Sequence, residues 1–307
     1  MATPEFRMEF EPAHGEAVNI AEGVQRITAN NGGPFTFHGT NTYIVGDKNV
    51  AVVDPGPEGD DAHLAAIMNA LKGRTLSHII VTHTHADHSP LSRKLAALTG
   101  APTYGEGAHR ASRDLHIGEH NPLDGSADLE FKPDVVLLDG DIIKGDGWAL
   151  EAVFTPGHTA NHMAFGLQGT DMMFSGDHVM AWATTIVAPP DGSMSDYMAS
   201  LETLAARSEN VYFPGHGGRL NNAPKFVRAL RAHRKMRETA VLGRIRKGDE
   251  TIRDIVKVIY KSTDPKLHGA AGLSVLAHIE DLIVREKITS DQPASINGRF
   301  FPASQDS

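Results

Sequence analysis

The chain reads as an α/β protein, and three observations predict this. Short apolar runs end repeatedly in loops that carry glycine and histidine, stretches with helical spacing lie between them, and a strand–loop–helix–strand order recurs. At 307 residues, with 40% hydrophobic and 22% charged residues, the chain can bury a large core and suits one large domain plus a small one. No apolar run approaches the length that spans a bilayer, and residues 1–14 show no hydrophobic leader, so cytoplasmic residence is the default expectation. The absence of cysteine excludes disulfides, thiolate ligands and thiol nucleophiles.

Residues 39–46 and 50–54 predict two strands around a turn at 47–49, an antiparallel hairpin stopped by Pro55-Gly56-Pro57. Asp54 ends the second strand, where its carboxylate can bond loop amides or orient a ligand; direct metal ligation is the weaker reading. Leu64, Ile67, Met68 and Leu71 have helical spacing, which predicts a helix over 60–71. Ser77-His78-Ile79-Ile80-Val81 then reads as a buried strand, followed directly by Thr82-His83-Thr84-His85-Ala86-Asp87-His88. A backbone turning at a strand end can converge these imidazoles and the carboxylate, whereas a continuing strand would send them to alternate faces. Nitrogen and oxygen donors without thiolate suit zinc, and also manganese or iron.

Ser89-Pro90 opens a helix over 91–99 that Gly100-Ala101-Pro102 stops. Residues 105–134 are rich in glycine, histidine and aspartate, with weak periodicity; they predict a surface insertion near the substrate side, its His109, His116 and His120 being mostly loop or solvent histidines. Residues 148–154 form the next expected strand and end at Pro156-Gly157-His158. Short strands at 163–167 and 172–174 follow, the second ending at Gly176-Asp177-His178, and a strand at 210–213 ends at Pro214-Gly215-His216. Three further strand ends thus deliver a glycine and a metal donor. A polar loop that merely contains histidines does not explain that recurrence.

In chain order, this pattern of a His/Asp cluster, Gly-His, Gly-Asp and Gly-His resembles the metallo-β-lactamase superfamily. The resemblance implies an αββα sandwich with a dinuclear metal site at one edge. It also implies that His83, His85 and His158 hold one ion, that Asp87, His88 and His216 hold the other, and that Asp177 bridges them. Gly39-Thr40-Asn41-Thr42-Tyr43, Asp54-Pro55-Gly56-Pro57, residues 184–192 and residues 197–201 resemble more narrowly the β-lactamase-like protein 2 group, whose animal members look like single-strand-selective endoribonucleases.

The C-terminal part resembles that group's small winged-helix-like domain, with helices expected over 226–245, 252–259 and 272–286 and extended segments near 287–289 and 299–300. The expected domains are a catalytic one over 1–222 and a winged-helix-like one over 223–307. The last helix presents Glu280, Asp281 and Glu286 against Arg285 alone, which favours packing, shaping of the site rim or a homodimer contact over DNA reading.

Two divalent ions, zinc first, can share a bridging hydroxide at neutral pH, so the nucleophile needs no serine or cysteine. Asp87 is expected to bind one ion and orient the hydroxide; Asp54 and His178 are candidates for fixing imidazole tautomers behind the ligands, with a structural role beside the bridge favoured over substrate contact for His178. Charge divides the chain: residues 1–222 hold 13 Lys and Arg against 28 Asp and Glu, while 223–290 hold 15 against 8. The basic segment could help hold a polyanion, or be solvated helix surface. The resulting expectation is a metal-dependent hydrolase that leans to phosphodiesters or short single-stranded RNA. The alternatives are a small-molecule thioester, as in glyoxalase II, a lactone or a β-lactam. A non-enzymatic DNA-binding protein would not need all seven donors.

Overall fold

A computed structural model describes residues 3–303 apart from 118, 120 and 122, so His120 lies outside the described residues. Seven strands make the first sheet: β1 Val18–Ala21, β2 Val24–Thr28, β3 Asn41–Val45, β4 Asn49–Val53, β5 Thr75–Ile80, β6 Thr103–Gly105 and β7 Val135–Val136, in that order. The first four pair antiparallel and the last four, from β4 on, parallel. Parallel pairing needs crossovers; α1 (Asp61–Ala70) and α2 (Leu91–Thr99) supply two of them. The second sheet contains β8 Ile142–Lys144, β9 Ala149–Phe154, β10 Met163–Leu167, β11 Met172–Gly176, β12 Val211–Pro214 and β13 Leu220–Asn221, in the order β13-β12-β11-β10-β9-β8.

Side-chain alternation sorts the core into layers. On β4, Ala51 and Val53 face the second sheet, where they join Leu150, Met163, Phe165, Phe174 and Phe213. Val50 and Val52 of the same strand face outward and pack with Leu64, Ile67, Leu91 and Leu95 of α1 and α2. The outer face of the second sheet, with Ala164, Met173 and Tyr212, is covered by Tyr197, Leu201 and Leu204 of α3 (Met194–Ala206) and by Phe226, Val227 and Leu230 of α4 (Ala223–Arg246). The result is the expected αββα sandwich. The sequence reading did not contain β1, β2 or α3: β1 is only four residues with none fully buried, the apolar residues of β2 are interrupted by Gln25 and Arg26, and α3 is fixed mainly by what it packs on.

The helix α4 serves two cores. Its first half belongs to the sandwich, whereas Val241 and Ile245 join α5 (Ile252–Ile259), α6 (His268–Val284) and the ribbon of β14 (Ile288–Ser290) with β15 (Phe300–Pro302). This three-helix unit with a two-stranded wing is the expected winged-helix-like arrangement. One sequence expectation needs correction here. Residues 265–284 are long and apolar enough to qualify as a membrane span, with mean hydropathy 1.3. Their hydropathy is that of a core helix: Val275, Ile279 and Leu282 are buried among α4, α5 and the wing, while Glu280 pairs with Arg113 and Asp281 with Arg285.

His278 sits on α6 at 1% exposure, and among the described residues neither ring nitrogen has a hydrogen-bond partner. Burial, and then Arg234 and His233, push its pKa from 6.5 to about 3, so the ring is neutral in the fold. The unfolded chain takes up a proton below pH 6.5 and the folded chain does not. Stability from this group is therefore complete above pH 6.5 and is lost as pH falls toward 3. Between pH 6.5 and 4.5 the loss should amount to roughly 2–3 kcal/mol. Urea midpoints measured across that range should fall less steeply for His278→Leu than for the wild type.

Candidate metal centre

Every loop that carries a predicted donor emerges at the same edge of the sandwich. The stretch 82–88 follows β5, His158 follows β9, Asp177 follows β11 and His216 follows β12. Three sets of donor atoms lie close enough to hold an ion: His83, His85 and His158; His83, His88 and Asp177; and Asp87, His88 and His216. All seven expected residues are thereby brought together. Asp177 lies between the outer sets, with Oδ2 3.7 Å from His158 Nε2 and 3.3 Å from His216 Nε2, and Oδ1 3.6 Å from His88 Nε2.

Hydrogen bonds on the far side of the rings determine which nitrogens face inward. His158 Nδ1 donates to the Ile186 carbonyl at 2.7 Å and His216 Nδ1 to the Gly39 carbonyl at 3.2 Å; carbonyls only accept, so both protons are on Nδ1. His88 Nδ1 donates to Asp54 Oδ2 at 2.9 Å. Thr82 Oγ1 spends its single proton on Asp54 Oδ2 and so accepts from His83 Nδ1 at 2.9 Å. Four Nε2 lone pairs therefore point into the cluster. Those of His88 and His216 face each other at 3.3 Å, and His158 Nε2 lies 3.0 Å from His85 Nδ1. Opposed lone pairs at that separation repel unless a cation or a proton lies among them, so the donor set fits divalent ions.

Asp54 holds one ring of each set, directly for His88 and through Thr82 for His83. It stands at the end of β4 with φ +51, a left-handed conformation that aspartate tolerates better than most residues. His178, expected to share this role, does not. Its ring is fully buried, has no hydrogen-bond partner for either nitrogen among the described residues, and packs 4.4 Å from the Tyr197 ring. The residue that supports the Asp177 turn is His162, whose Nε2 accepts from the Asp177 amide at 3.1 Å while Thr155 meets its Nδ1. Sequence reasoning missed it, although a second histidine four residues after His158 was available as a signal.

The 105–134 insertion lies against the cluster, as expected: Ala86 N bonds Ser126 O, and Asp128 N bonds Thr84 O. His109 stands in a loop, as read, but it is not a solvent histidine. Its side chain is 3% exposed, between Thr84 Oγ1 at 3.0 Å and Asp191 Oδ1 at 3.3 Å. His116 is half-buried and its amide is capped by Glu119.

Residues 35–216 match the family model described as the Metallo-beta-lactamase superfamily, more than half of the chain. The chain belongs to this superfamily. A second match, the Beta-lactamase associated winged helix domain, covers residues 251–294. Among relatives of this metallo-β-lactamase superfamily member, an atrochrysone carboxyl ACP thioesterase from Claviceps purpurea is 29% identical over 257 residues, covering 81% of this chain and 76% of its own length. A beta-lactamase-like protein 2 homolog from Caenorhabditis elegans is 27% identical, with 89% and 86% covered. A beta-lactamase domain protein from Burkholderia ambifaria shares the fold, with TM-score 0.78 at 21% identity and 95% of each chain covered. Membership and the clustered donors make the protein a metal-dependent hydrolase.

The electrostatics of this superfamily member are uneven across the centre. Burial, and then His158, push His85 down to about 3. Burial also opposes a charge on His88, but Asp87, Asp177 and Asp54 outweigh it and raise that ring to about 9. The carboxylate-rich half thus attracts positive charge more strongly. Replacing Asp54 with Asn keeps the tolerance for positive φ but removes the acceptor shared by Thr82 and His88. Zinc retention against a chelator should fall roughly 10–100-fold in Asp54→Asn. Near-wild-type circular dichroism should accompany the loss.

Proposed function

We propose that the protein hydrolyses a small-molecule ester or thioester, with thioester first, and that this reading displaces the lean toward RNA. The observation that carries it is the state of the cations in the insertion beside the cluster. Arg110 is held by Glu106 through two nitrogens, and Arg113 by Glu119 and Glu280, so neither guanidinium is available to a phosphate chain. In the C-terminal segment three arginines among the 15 bases are similarly engaged, Arg231 with Glu202, Arg244 with Asp249 and Arg285 with Glu238 and Asp281, and Arg299 just beyond it pairs with Glu250. The thioesterase name of the Claviceps purpurea relative supports the same direction. The β-lactamase-like protein 2 grouping has support from the Caenorhabditis elegans relative and from the winged-helix match.

In this reading His83, His85 and His158 hold one divalent ion, Asp87, His88 and His216 hold a second, and Asp177 serves both. Zinc heads the candidates for a nitrogen and oxygen donor set, with manganese and iron behind it. Bound divalent ions supply Lewis acidity toward a substrate oxygen and toward water. The protein's own part is to hold these donors in place. Asp87 has the additional catalytic role: its side chain is 25% exposed, Oδ2 accepts from Thr40 Oγ1 at 3.0 Å, and the other oxygen can orient an attacking water and take its proton.

The test is a substrate panel on zinc-reconstituted protein: an acyl-N-acetylcysteamine thioester, a glutathione thioester, an acyl-lactone, a β-lactam, bis(p-nitrophenyl) phosphate and single-stranded RNA. The highest kcat/KM is expected on a thioester. Asp177→Asn should reduce that turnover by more than the roughly 10–100-fold typical of changes behind the ligands. Faster turnover of RNA, abolished by the same substitution, would reverse the choice of substrate class.

A further inference from the structure

Arg234 is a buried cation on the helix shared by the two cores. It lies on α4 between Leu230, which belongs to the sandwich core, and Val241, which belongs to the C-terminal core, and is 3% exposed. Among the described residues it pairs with no carboxylate. One terminal nitrogen donates to the Thr185 carbonyl, and the guanidinium lies over the Tyr197 ring with its carbon 5.1 Å from the centroid. An uncompensated buried charge costs several kcal/mol, and an aliphatic side chain would fill such a position without that cost. Packing alone does not account for a guanidinium here.

What it touches does. Thr185 and Ile186 form the loop behind two of the proposed ligands. Thr185 Oγ1 reaches the carbonyl of Asp177 at 2.6 Å and that of His178 at 3.0 Å. The next carbonyl, Ile186 O, accepts from His158 Nδ1 and keeps that ring's Nε2 lone pair facing inward. The other partner, Tyr197, donates its hydroxyl to His178 O at 3.0 Å, and its backbone lies directly beneath the His158 turn. A Cβ on Gly157 would come within 2.3 Å of Tyr197 N and Cα. Both contacts of Arg234 therefore lead to the His158–Asp177 half of the centre. The cluster of Asp87, His88 and His216 is held separately, by Thr40, Asp54 and the Gly39 carbonyl.

We propose that Arg234 is a positioning residue through which α4 sets the His158 and Asp177 side of the metal centre, making the C-terminal helical unit part of the machinery. The proposal rests on the reading of His158 and Asp177 as ligands. Its test uses the full chain reconstituted with zinc, extracted by a chelator and followed for each metal equivalent. In Arg234→Met one equivalent should leave at least tenfold faster than in the wild type, while the other, which shares Asp177 but not His158, accelerates by much less, as expected for an outer partner acting mainly on one ligand set. On the preferred substrate kcat should fall with little change in KM, and Arg234→Lys should recover part of both losses.

Wild-type release of both equivalents from folded Arg234→Met would overturn the proposal, as would equal loss of both in step with a lower Tm. If Arg234→Met does not fold, Thr185→Val decides: it removes the hydroxyl bonds to Asp177 and His178 at nearly constant volume, and unchanged release there would also overturn it. A wild-type protein that binds no zinc would instead defeat the ligand reading itself, which is a separate outcome.

Discussion

The constraint on which this structure depends is the inward orientation of imidazole lone pairs at one edge of a two-sheet sandwich. Four of the five rings have an outer partner that orients them: Asp54 for His88, Thr82 for His83, the Ile186 carbonyl for His158 and the Gly39 carbonyl for His216. These partners come from different strands and loops, so the centre exists only when both sheets are in register. Asp54 shows how closely fold and site are tied. The residue that terminates β4 in a left-handed turn also supports both ligand sets.

The sandwich supplies this precision through its layered core. The central strands are buried on both faces, with β4 contributing alternate valines and alanine to the inter-sheet core and to the layer under α1 and α2. Interiors packed at crystal-like density move little, so a strand end on such a strand is a fixed platform for a short ligand loop. The helix α4 extends that rigidity outward. It leaves the sandwich core after Leu230 and enters the winged-helix core at Val241, with Arg234 buried between. The two parts of the molecule share a helix rather than a linker.

Charge acts at two ranges. Over the catalytic body the excess of acids makes a poor host for a polyanion, and close to the cluster the insertion's arginines are bound by glutamates. Inside the cluster the same sign of charge has the opposite use, since Asp87 and Asp177 attract positive charge to the place where the histidine nitrogens are grouped closely enough to hold a cation.

The sequence by itself determined the strand-end donors, the helices at 91–99 and 252–259 and the α/β layering, because these follow from local signals: apolar runs, glycine stops and a 3.6-residue period. The seven clustered residues were legible as donors on loops that follow strands, and as one set through the resemblance to the metallo-β-lactamase superfamily. The tertiary structure alone decided what lies behind them. His178 looked like a tautomer-fixing partner from its place beside Asp177, yet its ring turns into the core, and His162, fifteen residues earlier, reaches the Asp177 amide instead. His109 is buried against Asp191 rather than solvated. Nothing in the sequence sets Arg234 apart from the other bases of 223–290, and its burial beneath the Thr185 loop depends on how α4 is seated. Hydrogen bonds between residues distant in the chain depend on the direction in which a side chain leaves its element and on what another element places opposite it. Periodicity and turn chemistry carry the first piece of information in part and the second not at all.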